Sequence, residues 1–221
     1  FVPKAGYQGQ VNIPYIGYST QGAAFSGNVT IDFYTSYCAT PFYDVDSGWD
    51  CAKPSVEFLR YAGISNGYSD NTFRPTRPIS RGEFTLMVCR AFGIDTSSKV
   101  SSFPEVPAGS PYAGAVATAK SLGIVEGSGG RFMPTSPITR QSAMTMICRA
   151  MRSAGRKVPS AGSSVLYAYG DQAQISSHAR DSVAALVQLG VVQGSSDMRL
   201  NPRRSISRAE MAVILHRVLT L

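Results

Sequence analysis

Residues 63–92, GISNGYSDNTFRPTRPISRGEFTLMVCRAF, decide the fold, because the same pattern returns twice further along the chain. Residues 123–151 read GIVEGSGGRFMPTSPITRQSAMTMICRAM, and residues 190–219 read GVVQGSSDMRLNPRRSISRAEMAVILHRVL. Each copy runs Gly-apolar, a Gly-bearing turn, an apolar residue two before a Pro, then Ile-Ser/Thr-Arg and a helical pattern. Repetition of this kind makes each unit one supersecondary element that buries its apolar face against its neighbours.

Each copy also has a front half. Phe42-Tyr-Asp44-Val45 precedes Trp49, Phe103-Pro-Glu105-Val106 precedes Tyr112, and Tyr169-Gly-Asp171 precedes His178. A short helix is expected next, with apolar positions such as Val56, Leu59 and Ala62, or Val183, Leu186 and Val187. The units are placed at 41–95, 101–153 and 165–221, with Gly/Ser/Lys-rich linkers at 93–102 and 154–164. The spacing from Arg81 to Arg140 is 59 residues and from Arg140 to Arg208 is 68, the excess falling in the second linker. Arg-led helices are expected at about 78–92, 138–152 and 206–220. Their buried stripes would be Phe84/Met87/Val88, Ala143/Met146/Ile147 and Met211/Ile214/Leu215.

Residues 1–40 follow another rhythm. Phe25, Gly27, Val29, Ile31 and Phe33 alternate with Ser26, Asn28, Thr30 and Asp32, and Val11, Ile13 and Tyr15 alternate similarly. This is a two-stranded hairpin signal over residues 8–33, with one apolar face expected to be buried. Because an isolated hairpin is marginal in water, it reads as the C-terminal end of a β-sandwich or as a flap docked on the repeats. The lack of an initiator Met and of a basic-then-apolar leader suggests a processed protein or a fragment.

Composition is that of a globular protein, 43% hydrophobic and 16% charged, with no apolar run long enough to span a membrane as a helix. The first 52 residues carry Lys4 against Asp32, Asp44, Asp46 and Asp50, net −3, whereas the remainder carries +10. A basic repeat region implies an anionic partner. Its cations are spread singly, without a Lys/Arg block or an aromatic ladder, which argues against nucleic acid. Cys38, Cys51, Cys89 and Cys148 lack CxxC spacing and give no zinc signal. Cys89 and Cys148 share one repeat position with His216. Cys89 lies about 140° round the helix from Phe84, which reads as an unpaired position rather than a converging metal or disulfide site. A Cys38–Cys51 bridge stays open. With two histidines, no Ser/His/Asp order, no phosphate loop and no metal spacing, neither catalysis nor a cofactor is expected.

The chemistry resides at the helix starts. Ser80-Arg81-Gly82-Glu83 and Ser207-Arg208-Ala209-Glu210 are capping boxes, and Thr139-Arg140-Gln141-Ser142 keeps the cap without the carboxylate. Each Arg occupies the first helical position, beside backbone N–H groups and the positive end of the helix dipole, where a carboxylate or phosphate is favoured. Two readings stand: the arginines hold an anionic ligand, or each pairs with an acidic residue of a neighbouring unit. In the turn 67–73, Gly67 allows close backbone approach, Tyr68 offers a stacking face, and Asp70 can bond a sugar hydroxyl. Asp197 repeats Asp70, and a local Asx-turn accounts for both equally well. Trp49 reads either as a core or rim aromatic or as a sugar platform.

These residues resemble the S-layer homology family, whose pattern runs Phe-x-Asp-Val, Trp, an apolar helix, Gly-Ile-x-x-Gly-Tyr-x-Asp-Gly-Thr-Phe-x-Pro, then Ile-Thr-Arg-Ala-Glu-Phe. The resemblance covers about residues 41–221. It implies a mainly α, pseudo-threefold helical domain with the Arg-led helices around a common axis. Its grooves would bind pyruvylated secondary cell-wall polysaccharide, at the cell wall or S-layer outside the cell. Carried over by motif, Arg81, Arg140 and Arg208 would contact the pyruvyl ketal, while Asp44, Asp171, Trp49, Gly67 and Asp70 would line the grooves. Departures in copy two, with Glu105 for Asp and Ser142 for Glu, imply unequal grooves. The competing reading is a structural S-layer or surface-assembly subunit acting through contacts with itself or with neighbouring surface proteins.

Overall fold

The computed structural model describes residues 9–18, 24–33, 42–45, 48–98 and 100–221. It divides the chain into two units, Phe1–Pro41 and Phe42–Leu221. In the first unit β1 (Gly9–Tyr18) pairs antiparallel with β2 (Ala24–Phe33). Val11 stands opposite Ile31, Ile13 opposite Val29 and Gly17 opposite Phe25. Opposed residues share a face, so the register sets Val11, Ile13 and Tyr15 on the same side as Phe25, Gly27, Val29, Ile31 and Phe33, as the period-two pattern requires, while Ile16 and Tyr18 fall on the other. The burial expected for Phe25, Val29, Ile31 and Phe33 lies outside the described side chains.

The second unit is helical. Its first helices are α1 (Lys53–Tyr61), α3 (Ala113–Ser121) and α5 (Ser177–Gln188), and its Arg-led helices are α2 (Arg81–Ala91), α4 (Arg140–Ser153) and α6 (Arg208–Leu219). α1 opens with Pro54 in its first turn, where a missing N–H costs nothing. All three first helices stop at a glycine in the left-handed region: Gly63, Gly123 and Gly190, with φ of 65°, 67° and 71°. The Arg-led helices begin two to three residues later than the periodicity suggests. The reason is that the segments centred on Ile79, Ile138 and Ile206 before them form bridges, Pro78 with Ser207, Ser80 with Pro137 and Thr139 with Ser205.

Those bridges join into a circuit. The Ile79 N–H donates to the Ile206 carbonyl, the Ile206 N–H to Ile138, and the Ile138 N–H back to Ile79. The helices follow the same cyclic order: α2 packs on α3, α4 on α5, and α6 returns to α1, with α2 also touching α4 and α6. Each second helix therefore buries itself against the first helix of the next copy. All nine residues of the three expected stripes are buried.

The periodic reading was too narrow on one point. Cys89 and Cys148 are fully buried free thiols, although they lie away from the stripe. An Arg-led helix is covered on more than one side, and its Cys or His side touches the next copy: Cys89 Sγ lies 3.6 Å from the Ala115 carbonyl and Cys148 Sγ 3.4 Å from that of Ser182. His216 makes the corresponding contact to α1, with Nδ1 3.0 Å from Ser55 Oγ and its ring stacked on Phe58. The three positions thus serve three separate seams and do not converge. Burial pushes the Cys89 thiol up to about 12 and that of Cys148 to about 11, which keeps both protonated and inert.

Candidate binding clefts between the repeats

The Arg-led helix starts are already occupied by protein. Arg81 and Gly82 donate their backbone N–H groups to Ser136 and Pro134, Arg140 and Gln141 to Arg204 and Pro202, and Arg208 and Ala209 to Arg77 and Pro75. The next N–H in each helix goes to the capping hydroxyl of Ser80, Thr139 or Ser207. The backbone donors expected to face an anion are therefore spent on the loop of the neighbouring copy, and the guanidinium is what remains.

Each guanidinium is itself anchored across the seam. Arg81 Nε donates to the Phe132 carbonyl at 2.9 Å, Arg140 Nε to Leu200 at 2.8 Å, and Arg208 Nε to Phe73 at 2.6 Å. The acceptor is each time the apolar residue two before the Pro of the next copy. Arg208 is 2% exposed, Arg140 8%, and Arg81 half-buried. Burial lowers the pKa of all three from the usual arginine value.

What faces the free ends of the guanidinium groups differs. Arg208 Nη1 lies 3.5 Å from Glu83 and Arg140 Nη1 3.0 Å from Glu210. Both glutamates also close their capping boxes and meet a further arginine, Arg77 at 4.0 Å for Glu83, and Arg204 for Glu210. Glu210 is buried enough to be pushed upward, but the Ser207 N–H and Arg204 outweigh this and hold its carboxyl below the usual range. In the cleft that Arg81 lines, the matching repeat position is Ser142. Arg81 Nη2 donates to the Glu126 backbone carbonyl at 3.2 Å, and among the described residues Arg81 pairs with no carboxylate.

Each of these arginines lines a cleft built by all three copies. The first, about 210 Å³, holds Arg208, the turn Gly67–Tyr68, Glu83 and Arg90 of α2, and Tyr112. The second, about 300 Å³, holds Arg81, Glu126–Ser128, Ser142 and Arg149 of α4, and His178. The third, about 600 Å³, holds Arg140, Gly194, Glu210 and Arg217 of α6, and Trp49. Trp49, Tyr112 and His178, matched by sequence position alone, occupy corresponding walls. Sequence reasoning missed Arg90, Arg149 and Arg217. Their signal was present, since each follows Cys89, Cys148 or His216 in its copy. Arg90 and Arg217 donate to the carbonyls of Ile64 and Val191, while Arg149 pairs with Glu126 at 3.1 Å.

Other expected ligand residues have work elsewhere. Asp44 accepts from the N–H groups of Phe73 and Arg74 at 2.8 and 2.7 Å, and Asp171 from those of Leu200 and Asn201 at 3.0 and 2.7 Å. Neither lines any of the three clefts. The second residue of each pair has positive φ, Arg74 at 57° and Asn201 at 50°, as does Met133 at 57° above Glu105. The front-half carboxylates are clamps that hold a strained, non-glycine turn and so fix the carbonyl that receives the arginine.

Gly67 serves packing as well as the cleft. Its φ is 70°, and a Cβ there would stand 2.2 Å from the Phe42 ring. Tyr68 donates to Glu83 at 3.1 Å, accepts from Arg77, and carries Arg74 and Arg208 over its ring at 4.0 and 4.9 Å. Asp70 closes a local turn, accepting from the Thr72 N–H and hydroxyl and from Arg74. Those bonds hold its carboxyl down to about 2. Asp197 is equally local, bonded by Ser195 and paired with Arg199 at 3.3 Å.

The sequence model of the S-layer homology domain matches residues 41–85, 102–144 and 168–212. This chain belongs to the S-layer homology domain family. Its relatives include an amylopullulanase of Thermoanaerobacterium thermosulfurigenes, 30% identical over 89% of this chain and 11% of that protein. An exoglucanase XynX of Acetivibrio thermocellus is 30% identical over 80% of this chain and 16% of the other. The surface-layer 125 kDa protein of Lysinibacillus sphaericus is 28% identical over 76% and 14%. The chain spans less than a fifth of the length of each of these relatives. They differ in enzymatic activity, or are surface-layer proteins, and share this stretch.

Proposed function

We propose that this chain is a non-catalytic anchoring module that holds a surface protein on the bacterial cell wall by binding an anionic secondary cell-wall polysaccharide. Its three S-layer homology repeats form a pseudo-threefold domain, and the clefts between them take a pyruvylated sugar. The observation that carries this reading is the recurrence, in every cleft, of a deep and an outer arginine facing a ring side chain contributed by another copy. The deep arginine sits at the start of one Arg-led helix, the outer one in the second half of the next, and Trp49, Tyr112 or His178 lines the same cleft. A guanidinium fork matches a carboxylate, and an aromatic wall matches the apolar face of a sugar ring. The relatives support the setting: enzymes with different printed activities and surface-layer proteins have this stretch in common. Among the described residues no helix is long and apolar enough to cross a membrane, and a wall-bound position outside the cell fits the anionic partner that the basic repeats require.

The second reading is a surface-assembly subunit. It is favoured by the β1–β2 ribbon, whose outer edges pair with no third strand among the described residues and could add a strand to a neighbour. Purified sacculi decide between them. Retention on untreated sacculi and loss after chemical removal of pyruvyl groups is expected for anchoring. Equal retention on both sets the glycan reading aside.

A further inference from the structure

The Arg-led helices finish in two ways. α2 and α4 each run into a glycine at positive φ, Gly93 at 64° and Gly155 at 71°. The N–H groups of that glycine and of the residue after it return to the helix's own last turn. Gly93 and Ile94 donate to Arg90 and Cys89, and Gly155 and Arg156 to Arg152 and Met151. α6 has Leu221 where the others have glycine, and its final carbonyls are met by other groups. The Thr220 hydroxyl donates to those of His216 and Arg217. The Val218 carbonyl accepts from Arg156 Nη1 at 2.8 Å, across 62 positions of sequence.

The same guanidinium lies 5.7 Å from the centre of the Phe92 ring, at the end of α2. Phe92 belongs to copy one and Val218 to copy three, while the Arg156 backbone is bonded to α4 of copy two. One residue therefore joins the ends of all three Arg-led helices. We propose that the long second linker, 154–164, is a strap across those ends, pinned by Arg156, and that it holds in place the helix ends that carry Arg90 and Arg217.

The first linker stays with its immediate neighbour. Ile94 takes the place of Arg156 after the glycine, and the chain beyond it lies on the start of α3, where a Cβ on Gly114 would stand 1.8 Å from the Thr96 carbonyl. The second linker is the longer, the deep arginines being 68 residues apart across it against 59 across the first. Its length is put to use, since Val158 and Ala161 are partly buried against the core. Beyond it Ser163–Leu166 packs on α5, with Leu166 fully buried. The strap is thus fastened to α4 at one end and to α5 at the other. A cation on the last carbonyls of a helix is also favoured by the helix dipole.

Arg90 stands two residues before Phe92, and Arg217 one before Val218. Slack at either end therefore shifts the outer arginine of the cleft that Arg208 or Arg140 lines. The cleft of Arg81 takes its outer arginine from α4, ahead of the strap, and is spared. What those arginines bind rests on the anchoring reading, and the strap does not.

Hydrogen–deuterium exchange of the whole chain, measured without ligand, tests the strap separately from that reading. In Arg156→Ala, residues 88–94 and 215–221 should exchange about tenfold faster, the effect of losing one hydrogen bond to a charged group, with residues 140–147 unchanged. Arg156→Lys keeps the cation and a donor for Val218, and should restore protection at 215–221. Phe92→Leu keeps the apolar bulk without the ring, and should free 88–94 alone. Wild-type exchange in Arg156→Ala, a rise confined to 154–164, an equal rise in every helix, or no recovery in Arg156→Lys overturns the proposal. Should Arg156→Ala fail to fold, Phe92→Leu decides: faster exchange at 88–94 with 215–221 unchanged supports the strap, and unaltered exchange at 88–94 overturns it.

Discussion

Copies one and three begin their Arg-led helices with a full capping box, and copy two does not, yet α4 at 14 residues is longer than α2 at 11 or α6 at 12. The difference separates two jobs that a capping box appears to combine. The helix start is secured by the neighbouring loop, whose carbonyls take the first two N–H groups in every copy. The glutamate adds a bond at the cap, but its larger effect is on the arginine that arrives from the previous copy. Removing it changes the cleft more than the helix.

The comparison breaks most readily at the deep arginines. Arg208→Ala should destabilise by about 3–5 kcal/mol, because it removes a buried guanidinium bonded to the Phe73 carbonyl and takes from Glu83 its most buried cationic partner. Arg81→Ala should cost only about 1–2 kcal/mol, since it leaves the Phe132 and Glu126 carbonyls without this donor and strands no carboxylate. Urea unfolding of the two variants checks this, and equal losses would show that the glutamate pairing contributes nothing. The clamps give a smaller contrast. Asp171→Asn, at a site 4% exposed, should cost about 2–3 kcal/mol by losing charge-assisted bonds to Leu200 and Asn201. Asp44→Asn, at a half-buried site with the same geometry, should cost about half as much, read from the same denaturation curves.

Copy two can also be repaired. Ser142→Glu should raise stability by about 0.5–1 kcal/mol through the restored box and the helix dipole, visible as a higher melting temperature. A lower one would mean that the carboxylate has no room beside Arg81. The smallest effect concerns the seam between copies three and one. Burial lowers the His216 pKa below 6.5, so the unfolded chain takes up this proton first as pH falls. Stability from this group is therefore complete above about pH 6.5 and declines below it. The seams closed by Cys89 and Cys148 have no such dependence, and His216→Cys should flatten the pH profile of unfolding below about pH 6.5.

Much of this architecture was legible because it is written in local terms. A hydroxyl before Arg, a glycine after an apolar helix and a stripe at helical spacing each announce their element within a few residues. The long-range bonds announce nothing. Arg208 reaches Phe73 across 135 positions, and Asp44 reaches Phe73 across 29, so neither partner could be read from spacing. A cation at a helix start also suggests exposure, whereas Arg208 is almost wholly enclosed, held there by a carbonyl that only the neighbouring copy supplies. Asp44 and Asp171, expected in the grooves from the resemblance, instead accept from the N–H groups of a strained turn about thirty residues on, partners that spacing does not reveal. Conversely, Arg90, Arg149 and Arg217 were overlooked although all three copies display them, because they lie outside the motif at the helix start.

The circuit through Ile79, Ile138 and Ile206 also counts. A row of stacked units can shed or gain one at either end and keep every interface that remains. A circuit has no end at which to do so. Deleting any one copy would open two seams at once, and the remaining pair could not bring its backbone partners together; a fourth copy would demand a wider ring with different angles at every joint. Change within this unit is thereby confined to editing: a turn shortened at 127–130, a linker lengthened at 154–164, a carboxylate exchanged for a hydroxyl. Copy number is fixed by closure, and diversity can enter only through what each copy presents to its clefts.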